Sequence, residues 1–424
     1  MSFVLGVLPF VLLFAGFPIY LVLLTTCAAA LLFFMHMPLA VMHQTLFGSI
    51  DAFALLAVPF FIYAGELMGR GSVAQRLVDV VQAGVGNVRG SLGVTTVGTS
   101  AIFGAISGVS AATVATVGRI MVPAMRRERY PEHFAAGLIT AVGAIDIIIP
   151  PSVPMIIYGV AAQESVPRLY AAGIFPGLLI AAMLTLYVMW YARKTGMAGG
   201  PAFKLAHFAG ALRRGAWALG APVIILGGIY GGVFSPTEAA AVACIYAALV
   251  TRLVYRELSW KEILEAAVTT VFFTSQILIV VACASVFAYL LTVNQVPATL
   301  VRWIEAMQLS PWMILLVLNV LLLVVGCFID PLSAILILTP LLIPVVGAAG
   351  INTVHFGIIL TVNLAIGLFH PPFGINIFVA QSVLGLELPV IYRGIVPFIF
   401  LYLAALGLIT YIPAISMAGV RLFF

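Results

Sequence analysis

The chain has 424 residues, of which 63% are apolar and only 8% charged, where an ordinary soluble domain carries about a quarter charged. Its 19 Lys and Arg and 14 Asp and Glu cannot cover a soluble surface of this size, which excludes a soluble enzyme, a secreted disulfide scaffold and a disordered chain. The net charge of +5 is no nucleic-acid footprint, because no basic patch interleaved with aromatics accompanies it; it is expected in loops that orient membrane helices.

In chain order, a short apolar run at 2–15 opens the sequence without the basic start and small-residue cleavage site of a signal peptide, and reads as the first membrane helix. Spanning runs of roughly 20 residues are predicted at 18–36 and 50–69. An amphipathic stretch, Val73–Asn87, then lies at the interface. Residues 90–124 form two short arms around GAISGVSAATVATVG (Gly104 to Gly118). Fifteen helical residues reach about 22 Å, too short for a ~30 Å apolar core, so this is predicted to be a re-entrant hairpin. The long run 133–164 is broken by Pro150-Pro151. Spans follow at 170–192, 216–234, 236–254 and 264–292, then a second interfacial stretch, Pro297–Gln308. Residues 311–346 are a second predicted hairpin around GCFIDPLSA (Gly326 to Ala334). Residues 355–386 are a second broken run, interrupted by Pro371-Pro372, and 393–415 is the last span. The four cysteines, Cys27, Cys244, Cys283 and Cys327, lie far apart within apolar runs and read as core residues.

This layout places 16 of the 19 basic residues on one side and leaves Arg168, Arg302 and Arg421 opposite. The positive-inside rule makes the rich side cytoplasmic, so the first hairpin is expected to open from the cytoplasm and the second from outside. A shift of 221 residues lays TAVGAIDIIIPPSVPMII over TVNLAIGLFHPPFGINIF, with the two PP pairs coincident and a hairpin before each. An odd number of crossings separates the PP helices, so the repeats are inverted. Inverted repeats with matched broken helices mark a secondary transporter whose site lies at the repeat interface.

At such breaks, carbonyls can ligate Na⁺ and exposed N–H groups can face an anion. The candidates are Ser107, Gly108 and Ser110 at the first tip, Pro150 and Ser152 at the first break, and Pro371, Gly374 and Asn376 at the second. Gly326 and Asp330 mark the second tip, and Asn363 precedes the second break. Asp146 and Asp330 stand out as ionisable residues at membrane depth. Several readings stay structural: Asp330 as the cap of the helix started by Pro331, the serines as packing contacts, the asparagines as cross-helix bonds, and Glu238 as a first-turn carboxylate. His370 is expected to be packed or backbone-bonded, and His36, His43, His133, His207 and His355 carry no assignment. Hard oxygen donors suit Na⁺ and not zinc. An intramembrane aspartyl protease using Asp146 and Asp330 would leave the matched PP helices unexplained and lacks the YD and GxGD contexts; a channel is the other contrasting class.

The motifs GAISGVSAATVATVG, IIPPSVPMIIYG, GGIYGGVFSPTEAAAVA, GCFIDPLSAILILTPLLIPV and IGLFHPPFGINIFVA, in this order, resemble the large, DctM-like membrane subunit of the tripartite ATP-independent periplasmic (TRAP) transporters over essentially the whole chain. The resemblance implies an all-α polytopic membrane protein with the inverted-repeat, elevator-type fold of divalent-anion/Na⁺ symporters, and no enzyme activity. Repeats at about 1–192 and 216–424 would form one body, with transport elements at 88–165 and 310–387 moving against a scaffold of the other helices. It further implies Na⁺-coupled import of C4-dicarboxylates, sialic acid or similar carboxylates across the bacterial inner membrane, with no organic cofactor and no nucleic-acid partner. A periplasmic binding protein would deliver substrate, and a separate four-helix membrane subunit would pair with this chain. Substrate contacts are then expected at Ser107, Gly108, Ser110, Ser152, Gly374, Asn376 and Asp146, and Na⁺ ligands at Ser107, Ser110, Pro150, Gly326, Asp330, Asn363, Pro371 and Gly374. Three positions depart from the family pattern: Val109 at the first tip, Asp146 where glycine is usual, and His370 where threonine is usual. The alternative is a stand-alone Na⁺ or H⁺ symporter that needs no binding protein.

Overall fold

Lipid offers no partners for backbone N–H and C=O groups, so an apolar chain must satisfy them within its own helices. The computed structural model follows that rule over the residues it describes, 5–35, 37–197 and 199–424. Residues 1–4 and His36, where the expected first and second helices begin and end, lie outside the described residues.

The first half contains α1 (Leu8–Phe14), α2 (Ile19–Ala29, continued by a π-turn), α3 (Ala40–Ile50), α4 (Ala57–Arg70) and the amphipathic α5 (Val73–Val85). The first hairpin follows as α6 (Ser91–Ser107) and α7 (Ser110–Arg127). The first broken helix is α8 (Glu132–Val142) and α9 (Val153–Ala162), and α10 (Val166–Thr195) closes the half. Next come α11 (Leu205–Tyr230), α12 (Pro236–Leu249), α13 (Trp260–Val293) and the amphipathic α14 (Val296–Ala306). The second hairpin is α15 (Pro311–Gly326) and α16 (Pro331–Ala348). The second broken helix is α17 (Thr353–Gly367) and α18 (Ile375–Leu384), followed by α19 (Leu388–Tyr411) and α20 (Pro413–Phe423).

Helix starts repeat at the 221-residue offset: Ser110 with Pro331, and Glu132 with Thr353. Both PP peptide bonds are cis. The two halves interlock. Arm α7 of the first hairpin packs on α18 beyond the second break, and arm α16 of the second hairpin packs on α9 beyond the first. Small residues permit the closest crossings. A Cβ on Gly137 of α8 would collide with the Gly394 backbone of α19, and one on Gly394 with the carbonyl of His133.

Four features differ from the sequence expectation. Helix α3 was not foreseen, because AVMHQTLFGSI is short and half polar. Helix α11 starts at Leu205 rather than near 216. The last span ends at Tyr411, where Pro413 starts a separate helix. The breaks begin at Gly143 and Leu368, well before the prolines, so each unwound segment is longer than the PP pair.

Away from the hairpins, the α4–α5 turn is tied to the α12–α13 link. Glu257 accepts from Ser72 N at 2.7 Å, from the Ser72 hydroxyl, and from Arg76 Nη2 at 3.2 Å. Arg76 also lies over the Tyr255 ring, 3.9 Å from its centroid. Partial burial alone would push the Glu257 carboxyl up, but the bonds from Ser72 and Arg76 outweigh it and hold the group below the ordinary carboxylate value. A lowered folded-state value stabilises above the carboxylate range, and that stabilisation is lost as pH falls through it. Glu257→Gln is therefore expected to destabilise the chain at neutral pH by on the order of 1 kcal/mol, discounted for solvent screening. Thermal unfolding in detergent should show wild type converging on the mutant in acid; identical midpoints at neutral pH would show that the latch contributes nothing.

Candidate functional site

The first hairpin tip is shaped by Gly108, whose φ of +61° lets the chain reverse between α6 and α7. A Cβ there would stand 2.9 Å from the carbonyl oxygen of Pro151, so the tip rests directly on the broken segment. Ser107 is buried behind it, its hydroxyl 3.3 Å from Val109 N, and a Cβ on Gly65 of α4 would lie 2.9 Å from Ser107 Cα. Ser110, the first residue of α7, donates to Asn376 Oδ1 at 3.0 Å and accepts from Asn376 Nδ2 at 2.8 Å. Asn376 also donates to the Thr140 carbonyl at 3.2 Å. One side chain from the second repeat thus joins the first tip to the first broken helix.

Within that break, Ser152 caps α9: its hydroxyl donates to Ile147 O at 2.6 Å and accepts from Met155 N at 3.4 Å. Asp146 is fully buried. One of its carboxyl oxygens shares a short hydrogen bond with Thr113 of α7 and the other has no polar partner. Thr113 and Gly104 were missed from sequence. Thr113 stands three residues after Ser110 in the same Gly/Ser-rich motif, and that spacing was the available signal.

The second tip, Cys327–Asp330, borders a cavity of about 110 Å³ lined by Gly326, Cys327, Asp330, Gly367, Phe373 and Ile375, room for an ion and a few waters. Asp330 caps α16, accepting from Ser333 N at 3.0 Å and from the Ser333 hydroxyl at 2.5 Å. Gly326 and Gly367 touch through their backbones. Asn363 donates to Asn319 Oδ1 at 2.7 Å and to Ile359 O at 2.8 Å, while its own Oδ1 is buried without a partner. Gly374 ends the second break: its N–H donates to His370 O at 3.1 Å, and a Cβ would crowd Leu368 O at 2.6 Å. Pro150 and Pro371 lie within the two unwound segments.

The candidates therefore fall into two clusters. Ser107, Gly108, Ser110, Asp146, Pro150, Ser152 and Asn376 gather about the first tip, and Gly326, Asp330, Asn363, Pro371 and Gly374 lie about the second. Asp146 and Asp330 each bond within their own repeat and share no bond. Glu238 closes a capping box with Ser235, a structural role. His370 Nδ1 lies 2.5 Å from Pro371 O and 3.1 Å from Cys327 Sγ. His355, left unassigned as an end residue, stands in the first turn of α17 and is also buried, with Nδ1 2.6 Å from Ser416 Oγ and Nε2 3.3 Å from Thr410 O. A roomier cleft, about 250 Å³, lies at the Arg76–Glu257 pair, where Ser72, Arg76 and Glu257 bond one another, apart from either tip.

The family model of the DctM component of the tripartite ATP-independent periplasmic transporters matches residues 6–415. The C4-dicarboxylate TRAP transporter large permease protein DctM of Pseudomonas aeruginosa is 41% identical over 373 residues, 88% of this chain and 87% of that protein. The isethionate TRAP transporter permease protein DctMQ of Oleidesulfovibrio alaskensis is 40% identical over 406 residues, 96% of this chain; the chain spans 64% of that relative's length. The fold is similar to that of the Alcanivorax borkumensis YdaH transporter, with a TM-score of 0.63 at 18% identity and 88% of each chain covered.

Proposed function

We propose that this chain, which belongs to the DctM component family of the tripartite ATP-independent periplasmic transporters, is the large membrane subunit of a Na⁺-coupled importer of small organic acids in the bacterial inner membrane. The observation that carries the reading is the seating of each hairpin tip on a broken helix at matched positions of the two halves. A C4-dicarboxylate, a sialic acid or a similar carboxylate fits helix ends that offer N–H groups to an anion. The named relatives handle a C4-dicarboxylate and isethionate, both small organic anions. The donors at the tips are hard oxygens suited to Na⁺: the hydroxyls of Ser107 and Ser110, the Asp330 carboxylate, the unpartnered Asn363 Oδ1, and the carbonyls of the unwound segments. Na⁺ binding would fix the tips and complete the anion site between them, which couples the gradient to uptake. The hairpins and broken helices would travel as an elevator, the first hairpin opening from the cytoplasm and the second from the periplasm. A periplasmic binding protein would deliver the acid and a small four-helix subunit would flank the chain in the bilayer.

The test is uptake of a panel of small carboxylates into proteoliposomes holding this chain with its small subunit and binding protein, under an inward Na⁺ gradient. Asp330→Asn keeps a cap oxygen but drops the charge, and is expected to raise the Na⁺ concentration for half-maximal uptake about tenfold. Unchanged Na⁺ dependence would remove Asp330 from the ligand set. Uptake without Na⁺ would overturn the coupling, and saturable uptake by the chain alone would favour a stand-alone symporter.

A further inference from the structure

At one buried position the two repeats differ by a carboxyl group. The 221-residue offset pairs Asp146 with Gly367. In the second repeat, Gly367 lies backbone to backbone on Gly326 of the hairpin arm α15. In the first, Asp146 lies on Gly104 of the hairpin arm α6, and the missing side chain of Gly104 makes room for it: a Cβ on Gly104 would meet the Asp146 carboxyl carbon at 2.8 Å and its Cα at 2.9 Å. One repeat therefore holds a carboxyl where its mate holds a hydrogen atom.

The surroundings of that carboxyl supply no positive charge. Helix α6 has no ionisable side chain. The arginines of α7, Arg119, Arg126 and Arg127, lie beyond Gly118 toward its far end, and Glu132 and His133 of α8 are at the start of that helix, distant from the break. On α10, Arg168 is at the helix start and Tyr170 is buried beside Ser152. His355 of α17 is bonded to Ser416 and Thr410. Tyr402 of α19 is uncharged and its hydroxyl donates to Ala141 O at 2.8 Å. None of the ion pairs among the described residues includes Asp146. An ionised carboxylate enclosed here, with one oxygen unpartnered, would cost far more than one neutral hydrogen bond returns.

We propose that the first hairpin seats on its broken helix only when Asp146 is neutralised by a small monovalent cation, a proton or Na⁺, a charge-compensated site that the second repeat, with Gly367 at the matching position, does not hold there. Loss of the cation leaves a bare buried carboxylate, and the tip lifts from the break to hydrate it. The inference rests on the first hairpin being a moving element of the transporter. Its test uses the purified chain alone and no transported acid, so failed delivery or uptake would not bear on it.

The measurement is hydrogen exchange of the tip peptide spanning 104–113 in lipid nanodiscs, comparing wild type with Asp146→Asn, which imitates the neutral acid, and Asp146→Gly, which copies the second repeat. Matched pH values are sampled in choline chloride and in sodium chloride. In choline, the wild-type tip is expected to match both variants in acid and to exchange faster than they do at alkaline pH, by about tenfold per pH unit once the carboxyl ionises. If sodium but not choline restores protection at alkaline pH in wild type while leaving both variants unchanged, Na⁺ is the neutralising ion; if wild type responds to sodium no more than the variants do, it is a proton. A wild-type tip as protected as that of the variants in alkaline choline would overturn the proposal, and so would variants that lose protection with pH as wild type does. Asp146→Gly keeps the test open should Asp146→Asn fail to fold.

Discussion

Gly108→Ala is expected to cut uptake by the reconstituted transporter at least about tenfold while the chain still inserts and purifies. Two costs fall on one atom. An L-residue at φ +61° costs roughly 1–2 kcal/mol. The added Cβ would also stand 2.9 Å from Pro151 O, which is backbone and cannot rotate aside. Relief requires the tip to lift from the break, and each 1.4 kcal/mol lowers the seated population about tenfold. Gly385→Ala is the control, since Gly385 has a similar φ of +62° with nothing within 4 Å of the added carbon. It bears the backbone cost without the collision. Equal uptake by the two variants would show that contact between tip and break does not matter; reduced uptake in Gly108→Ala alone would show that it does.

Asn376→Ala is the second large effect expected. The side chain is fully buried and makes three hydrogen bonds, two with Ser110 and one to Thr140 O. Truncation leaves the buried Ser110 hydroxyl without a partner, at about 1–3 kcal/mol. Na⁺-dependent uptake should fall about tenfold or more, and the thermal midpoint should drop. Because the two residues serve one another, Ser110→Ala combined with Asn376→Ala should cost clearly less than the sum of the single changes, with a coupling of about 0.5–3 kcal/mol. Additive effects in that cycle would mean that the bond across the repeats is incidental.

What could be read in advance follows from what generates it. Hairpins, breaks and repeat order come from local cues: paired short arms, a Gly/Ser centre, prolines that cannot continue a ladder. The arm Pro331–Ala348 proves longer than the sequence reading allowed, long and apolar enough to cross a membrane. Such cues survive without knowledge of neighbours. The pairing of Ser110 with Asn376, 266 positions apart, does not, because nothing local in FGINIF says which helix Asn376 will meet. Gly104 was invisible for a related reason: glycine is abundant here, and only the position of Asp146 shows why this one must lack a side chain. His355 does stand in the first turn of α17, but its burial was not legible, because its partner Ser416 comes from a helix hidden behind Pro413. The breaks began early because the helical ladder already yields at Gly143 and Leu368, before the prolines that announce it.

The crossed seating of α7 on α18 and of α16 on α9 bears on how the molecule comes into being. A ribosome finishes the first hairpin and the first broken helix long before it reaches Ile375. Until then α7 has no partner for the face that α18 will cover, and Ser110 has no Asn376. The earlier half must wait in the bilayer as an unfinished surface, kept from wrong partners by lipid or by the insertion machinery. A severed chain should accordingly regain activity only when both fragments are made together in one cell, since neither carries a whole first-tip cluster. The two halves are therefore not two machines side by side; each is the template on which the other is finished.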